Sequence, residues 1–508
     1  MPEHFRALIV ILFVTSVVFF LARRPANDLI PDRDFKRRRN LWFLITLLAF
    51  FSHSFWVYTA AAMITLFVAR RREHNTLALF FMLVFAIPPA AVEIPGFGVI
   101  NYLIELNHIR ILALCVLLPA ALALSKQSDT LRFGRTLPDK LLAASLVLMT
   151  LLYLRDTTVT DTLRQGVSVY LDVFLPYYVA SRGLKTLQDF KDALLAFVLA
   201  AFLLAIIAVA EYSRHWLLYN GLINAMGVQW SMSSYLSRGG ALRASATTGQ
   251  AIALAYVISV AIGLYLFVQA YVRSGWQRLM GALLLAAGLV VPLSRGPWIG
   301  TVVIIGVFIA TGKRAFKRLL LLACAGLLAL PMLTVVPGGE KVLDLLPFVG
   351  NLEKENITYR QRLLDNSWIT IQRNPLFGSF DFRSTPEMQS MIQGEGIIDI
   401  VNSYISLALR FGLVGMSLFI AFFASVLWAI FKALRAFPDK EDEHRRLGRA
   451  LLATLIGIMV IIFTVSSITV IPVVYWSVGG LGVAYAQMVR RLRFAESAEL
   501  SPSVLQPR

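Results

Sequence analysis

The chain has 508 residues, of which 57% are hydrophobic and only 15% are charged. Those proportions exclude a string of soluble domains, because so many long apolar runs need lipid around them. The formal net charge of +18 would favour nucleic-acid binding in a soluble protein, but most of the cations here lie in short loops between apolar runs. That distribution is the positive-inside pattern of a membrane protein, and it argues against nucleic acid as a partner.

The N-terminal part, residues 1–211, is a series of apolar runs separated by basic clusters. The first run, 5–21, lacks a small-residue cleavage site and is expected to be a retained anchor. The apolar region 41–69 is interrupted by Ser52, His53 and Ser54 and has basic residues at both ends. Those flanks favour two short helices over one long span.

The remaining boundaries follow from the same alternation of apolar runs and basic loops. We expect a transmembrane core at 212–336, a large periplasmic loop at 337–410, C-terminal transmembrane helices at 411–494 and a disordered cytoplasmic tail at 495–508. The loop contains a predicted helix from 359 to 372. Because unpaired backbone groups are costly in lipid, the crossings must be helical, and the chain is predicted to be an all-α bundle of about 12–15 transmembrane helices.

One turn in the core places an arginine where few are expected. Ser294, Arg295 and Gly296 lie between two apolar runs. A basic cluster precedes the first run, and another follows the second. If both far ends are cytoplasmic, the runs form a hairpin whose tip carries Arg295 to the outer face. An ionisable residue at or near the hydrocarbon is a functional-site hypothesis, although snorkelling to the interface would also explain it.

The predicted outer face carries further arginines and few lysines. The arginines are Arg238, Arg243, Arg295, Arg360, Arg362 and Arg373. A guanidinium group stays charged and grips phosphate with two parallel hydrogen bonds, so this set suits a lipid diphosphate. The alternative is surface solvation with binding of anionic phospholipid. The two cysteines, Cys115 and Cys324, lie in apolar runs and do not suggest a disulfide or metal site.

Four segments together resemble the bacterial O-antigen ligase and polysaccharide polymerase superfamily. They are the Ser-Arg-Gly-x-Trp turn at 294–298, the arginine-containing segment 242–250, the helix and Pro-Leu-x-Gly turn at 360–378, and the Asn-x-Tyr segment with its Phe-Gly-Leu-Val-Gly continuation at 402–415. Each motif is weak alone, but their order and spacing are specific. The resemblance covers roughly 238–415 and leaves the N-terminal half as a generic bundle.

The resemblance implies a glycosyltransferase of the inner membrane with its active site facing the periplasm. Its donor would be an undecaprenyl-diphosphate-linked glycan, and it would need neither a cofactor nor a metal. Membrane lipids, and possible polysaccharide-assembly proteins, are the other implied partners. Arg243 and Arg295 match the functional arginines of the family by motif position. Arg360 and Arg362 are weaker matches, and Arg238 is added for its proximity to Arg243.

The chain departs from the family pattern beside the Asn-x-Tyr segment. The ligases have a histidine directly before it, where this chain has Val401, and an expected glutamate aligns with Arg410. Valine cannot accept a proton, so Asp399 is the predicted catalytic carboxylate. Asn402, Tyr404 and Glu395 are the predicted acceptor-binding residues, and Glu395 could also supply the carboxylate. For both acidic residues, a solvated loop carboxylate is the alternative interpretation.

The missing histidine favours a polymerase that joins lipid-linked oligosaccharide units. Ligase-type transfer of glycan to lipid A core or to protein stays open. A transporter of polysaccharide or lipid-linked glycan is a further alternative from a different class. Transporters tend to bind substrate at the bilayer midplane between repeated halves, whereas these charges cluster at one face and no repeat is visible.

Overall fold

A computed structural model of the protein describes residues 1–98, 100–228, 237–238, 240–335, 354–392 and 396–499. The prediction of an all-α polytopic bundle is confirmed. The α-helices before the large loop are α1 (Glu3–Asn27), α2 (Asp32–Ser52), α3 (Phe55–Arg70), α4 (Thr76–Leu83), α5 (His108–Leu112), α6 (Leu118–Lys126), α7 (Leu137–Asp156), α8 (Val159–Val169), α9 (Leu175–Gly183), α10 (Leu187–Arg214), α11 (Asn220–Ala225), α12 (Ala251–Val268), α13 (Gly275–Val290), α14 (Arg295–Ala310) and α15 (Ala315–Val335).

The large loop and the C-terminal part add α16 (Lys354–Arg373), α17 (Pro386–Gln389), α18 (Ser403–Leu434), α19 (Glu443–Ile461) and α20 (Ile471–Glu499). Single π-helical turns join α5 to α6 and α8 to α9. Strands are confined to two short antiparallel ladders in the described residues: β1 (Val92–Pro95) with β2 (Tyr102–Leu106), and β3 (Ser237–Arg238) with β4 (Ala241–Leu242). The first ladder lies in the connection between α4 and α5.

Among the described helices, six are long and apolar enough to cross a membrane, and three shorter apolar helices accompany them. The shorter ones are α3, α13 and α14. The helical break in the region 41–69 is confirmed, since His53 adopts a left-handed conformation between α2 and α3. The total of 12–15 crossings stays a prediction.

The turn at 291–294 connects α13 to α14, as the hairpin prediction requires. The two helices then diverge, and α14 packs chiefly against α12 and α19. Glycines make the contact with α19 very close: a Cβ on Gly300 would lie 2.0 Å from Ile461, and one on Gly457 would lie 2.1 Å from Ile304. The helix that begins at Arg295 is therefore fixed by the C-terminal part of the chain.

The large loop forms a small core of its own on the first turns of α18. Its predicted helix is confirmed as α16. The buried residues of this core are Leu363, Ile371, Phe382, Met388, Met391, Ile400, Ala408 and Leu409. Because Ala408 and Leu409 belong to α18, the loop is packed onto a bundle helix instead of projecting freely from it.

The Pro-Leu-Phe-Gly turn at 375–378 is hydrogen-bonded to the backbone of α18 where that helix is interrupted. Gly412 adopts φ +67° inside that helix, which frees the backbone N–H groups of the residues that follow it. Leu413 donates to the Pro375 carbonyl at 2.8 Å, and Val414 donates to the Leu376 carbonyl at 3.2 Å. The turn thus satisfies the polar groups that the break exposes, and the two motifs form one structural unit.

At the C-terminus, α20 continues to Glu499. The helix therefore extends past the predicted start of the tail at residue 495. The local sequence Ala-Glu-Ser-Ala-Glu has no glycine or proline and contains good helix formers, which is sufficient reason for the last turns. The remainder of the predicted tail, 500–508, lies outside the described residues.

Candidate functional site

Arg243 holds the turn that carries the Ser-Arg-Gly motif. Its Nε donates to the Pro292 carbonyl at 3.1 Å, and its Nη2 donates to Ser294 Oγ at 2.9 Å. The next residue, Ala244, donates its backbone N–H to the Val291 carbonyl. The structure thus brings together the two arginine motifs, which are separated by some fifty positions in the sequence, and Arg243 lies within hydrogen-bond distance of the residue preceding Arg295.

Glu211 holds the segment that contains Arg243 in place through hydrogen bonds. This fully buried residue ends the apolar part of α10, and its carboxylate accepts hydrogen bonds from the backbone N–H groups of Leu218, Ser245 and Ala246. The bond lengths are 3.1, 3.1 and 2.8 Å. These three donors satisfy a carboxyl group that has no access to water. Sequence reasoning missed Glu211, although a lone carboxylate at the end of an apolar run was the available signal.

Arg295 is the first residue of α14 and is half-buried. The turn before it is shaped by Leu293, which adopts a left-handed conformation with φ 52°. Trp298, one turn further on, donates its indole N–H to the Leu289 carbonyl at 2.8 Å and ties α14 back to α13. A Cβ on Gly296 would lie 2.2 Å from Thr464 Oγ1, so only glycine permits this approach to the turn that follows α19.

The same turn, residues 462–467, holds the segment that carries Asp399. Ser403 donates its N–H to the Ile462 carbonyl at 3.0 Å and its hydroxyl to the Val465 carbonyl at 2.7 Å. Ser466 donates to the Ile400 carbonyl at 2.8 Å and to Asp399 Oδ1 at 3.3 Å. The Arg295 helix and the Asp399 segment therefore share one support.

Asp399 also contacts the N-terminal half of α16. Tyr359 donates its hydroxyl to the Asp399 backbone carbonyl at 3.0 Å, and Arg360 is near enough to interact electrostatically with the Asp399 carboxylate. Part of Asp399 is exposed to solvent, but enough protein surrounds its carboxyl that burial raises its pKa above the ordinary value. The Ser466 hydrogen bond and the Arg360 charge oppose that rise. Burial has the larger effect, so the net shift of the Asp399 pKa is upward.

The side chains of Asn402 and Tyr404 are engaged within the protein. Asn402 is the N-cap of α18, and its side-chain oxygen accepts from the N–H groups of Tyr404 and Ile405 at 2.9 and 3.2 Å. The Tyr404 hydroxyl donates to the Met459 carbonyl at 3.0 Å in α19. Capping and helix packing account for these groups, and their predicted role in acceptor binding stays a prediction.

The two positions that depart from the family pattern have separate structural environments. Val401 packs against the apolar core of the large loop. Arg410 lies on α18, close enough to Arg383 and Tyr153 for electrostatic interaction. An apolar side chain at 401 suits its surroundings, which gives a packing reason for the absence of histidine there.

The other predicted site residues are less closely tied to this cluster. Arg362 is exposed on α16. Glu395 and the side chain of Arg238 lie outside the described part of the structure. Within the described ranges, no group of three or more histidine, cysteine, aspartate or glutamate residues is arranged to hold a metal ion.

Residues 280–420 match the family model described as O-antigen ligase. This match supports membership of the O-antigen ligase superfamily. The match spans α14, α16 and the first part of α18, and so includes the Arg295 turn, the Asp399 segment and the interlocked loop. A comparison with curated proteins gave no match. The match and the apolar helices together point to a membrane enzyme of glycosyltransferase type.

Proposed function

We propose that this protein is a polymerase that joins lipid-diphosphate-linked oligosaccharide units into an exported polysaccharide. In the reaction, an acceptor hydroxyl attacks the anomeric carbon of the donor glycan. A new glycosidic bond forms, the bond from the anomeric carbon to the phosphate oxygen breaks, and undecaprenyl diphosphate leaves with the bonding electrons. The reaction takes place at the outer face of the inner membrane.

The cationic groups have the chemistry that this leaving group needs. Negative charge grows on the diphosphate as its bond to the sugar breaks, and fixed cations stabilise that charge best when they are already in place. The hydrogen bonds of Arg243 to Pro292 and Ser294 fix the turn in front of Arg295. In the proposed enzyme, Arg295 binds the diphosphate and Arg243 orders the turn and adds positive charge.

The observation that carries the polymerase proposal is the environment of Asp399 beside Val401. A carboxylate held by Ser466 and faced by Arg360 can accept a hydrogen bond from the acceptor hydroxyl and align it for attack. It then takes the proton that the hydroxyl loses. The ligase-type histidine position is a valine that packs against an apolar core, so in the proposed enzyme this carboxylate replaces the base.

Replacing Asp399 with asparagine is expected to reduce polymer formation strongly, by a factor of roughly a hundred, because a positioned general base contributes that much or more. Donor-lipid binding should change little. In the wild type, activity should be lost as the pH falls through the pKa of Asp399. Because that pKa is raised, the loss should occur at a higher pH than it would for an ordinary carboxyl. Polymer made from purified lipid-linked units across a pH series measures both effects.

The matched control is Asp381→Asn, which removes a carboxylate from an exposed position in the same loop. It should leave both the rate and the pH profile unchanged. If Asp399→Asn makes polymer of normal amount and length, Asp399 has no catalytic role. Transfer of preformed glycan to lipid A core by the purified wild type would instead assign the protein to the ligases.

The proposed orientation predicts which positions an impermeant thiol reagent can reach in intact spheroplasts. Cysteines at Ser237 and Ser384, both exposed, should react without permeabilisation, and a cysteine at the exposed Ser128 should react only after it. Ser294 is a poor labelling site because it is only 2% exposed. The native Cys324 is replaced by serine beforehand, since it is also exposed. The reverse labelling pattern would overturn the orientation.

A further inference from the structure

A basic cavity lies at the opposite end of α14 from Arg295. It has a volume of about 240 Å³ and lies between the ends of α14 and α18 and the start of α19. Its lining residues are Ala310, Thr311, Phe431, Leu434, Arg435, Lys440, Arg445 and Arg449. Since α14 has 16 residues, the cavity is about 24 Å from the Ser-Arg-Gly turn and is separate from the candidate active site.

Two of the four cations have a structural reason to be there. Arg449, which is 4% exposed, donates to the Phe308 carbonyl at 2.7 Å, and Arg445 donates to the Phe437 carbonyl. Both arginines thereby satisfy carbonyl groups at or just beyond the ends of α14 and α18. Their bonding partners are neutral, so these interactions leave the positive charges in place.

In the described part of the chain, the side chains of the other two cations do not satisfy helix-end carbonyl groups in this way. Arg435 and Lys440 are exposed, and the contact that the structure gives the Arg435 guanidinium is with the Phe431 ring, at 4.7 Å from the ring centroid. Within the described part of the chain, none of the four cations forms an ion pair, and the cavity lining includes no carboxylate. The nearby acids are paired elsewhere, Asp439 with Lys313 and Glu441 with Arg446.

The cavity lining also includes three apolar side chains, those of Ala310, Phe431 and Leu434. Cations next to apolar side chains at the end of a helical bundle match a phospholipid, whose phosphate is anionic and whose acyl chains continue into the bilayer. A freely soluble phosphate would make no use of the apolar surface. The positive-inside pattern places this end of α14 at the cytoplasmic leaflet.

We propose that this cavity binds the phosphate headgroup of an anionic phospholipid from the cytoplasmic leaflet. Arg435 and Lys440 approach the headgroup from solvent, and Arg445 and Arg449 provide fixed positive charge beneath it. The bound lipid joins α14 to α18 and α19 at the end remote from the candidate active site. The proposal does not depend on the proposed catalytic activity.

The test uses native mass spectrometry of the purified full-length protein, titrated with phosphatidylglycerol and with phosphatidylcholine of the same chain length. The wild type should retain phosphatidylglycerol preferentially. The double variant Arg435→Gln/Lys440→Gln should bind it roughly tenfold more weakly or worse, since each basic residue near an anionic headgroup contributes substantially to affinity. These side chains are exposed, so the variant should fold normally.

The matched control is Arg71→Gln/Arg72→Gln, which removes the same charge from exposed positions after α3. It should bind phosphatidylglycerol like the wild type. Equal affinity of the wild type and the Arg435/Lys440 variant would overturn the proposal, as would equal losses in both variants. Displacement of phosphatidylglycerol by millimolar inorganic phosphate would assign the cavity to a soluble anion instead.

Discussion

Replacing Arg295 with lysine is expected to lower polymer formation by roughly a hundred- to a thousand-fold, the usual loss when one fixed donor to a developing charge is removed. Lysine keeps the positive charge but lacks the planar fork that binds two phosphate oxygens at once. Because Arg295 is half-buried at the start of α14, its position is set by the turn and not by its own flexibility. Initial rates with a purified lipid-linked donor measure the loss.

Arg214→Lys is the control for this substitution. Arg214 is exposed at the end of α10, and the change alters neither the net charge nor the Arg243 hydrogen bonds. Its rate should equal that of the wild type, and both variants should have the wild-type melting temperature. Near-native polymer production by the Arg295 variant would show that Arg295 has no role in the reaction and only anchors α14 at the membrane interface.

Replacing Gly412 with alanine is expected to destabilise the protein by roughly 3 kcal/mol or more, which is at the upper end for single substitutions. Gly412 has φ +67°, which disfavours any side chain, and its Cβ would lie 2.2 Å from the Leu376 carbonyl carbon and oxygen. Those are backbone atoms and cannot rotate away. The yield of monodisperse protein and its melting temperature should both fall sharply.

Gly306→Ala is the matched control, because Gly306 lies within α14 and a Cβ there would meet no atom within 4 Å. Alanine has a higher helix propensity than glycine. The free energy of unfolding of this variant should therefore equal that of the wild type or exceed it by up to about 1 kcal/mol. A wild-type melting temperature for Gly412→Ala would show that the lock between the loop turn and α18 contributes little.

The sequence was sufficient to predict the membrane class and several elements of the site. Apolar runs with basic flanks predicted the α2–α3 break and the turn before Arg295, because both depend on local composition. The helix α16 was also predicted, since its proline and glycine boundaries are local signals. The β1–β2 ladder was missed because strands of four or five residues in a loop have too few positions to show a pattern.

The contacts between distant segments could not be predicted from a single sequence. The hydrogen bonds from Arg243 to the Ser294 turn join residues whose proximity depends on how α12, α13 and α14 pack. Glu211 itself gave a signal, as a lone carboxylate at the end of an apolar run, but its three backbone N–H partners could not be identified from the sequence. The raised pKa of Asp399 depends on the surrounding loop, which charge counting ignores.

The glycine contacts of α14 couple the Arg295 turn to α19 and to the turn that follows it. With Gly300 against Ile461 and Gly296 against Thr464, the Arg295 turn cannot shift without carrying α19 and the turn after it. That turn also supports the Asp399 segment, so the arginine and the carboxylate behave as one rigid platform. Arg360 belongs to α16, which rests on this platform through the small core of the large loop. A movement of α19 would displace the Arg295 turn and the Asp399 segment together, and would preserve the spacing between them.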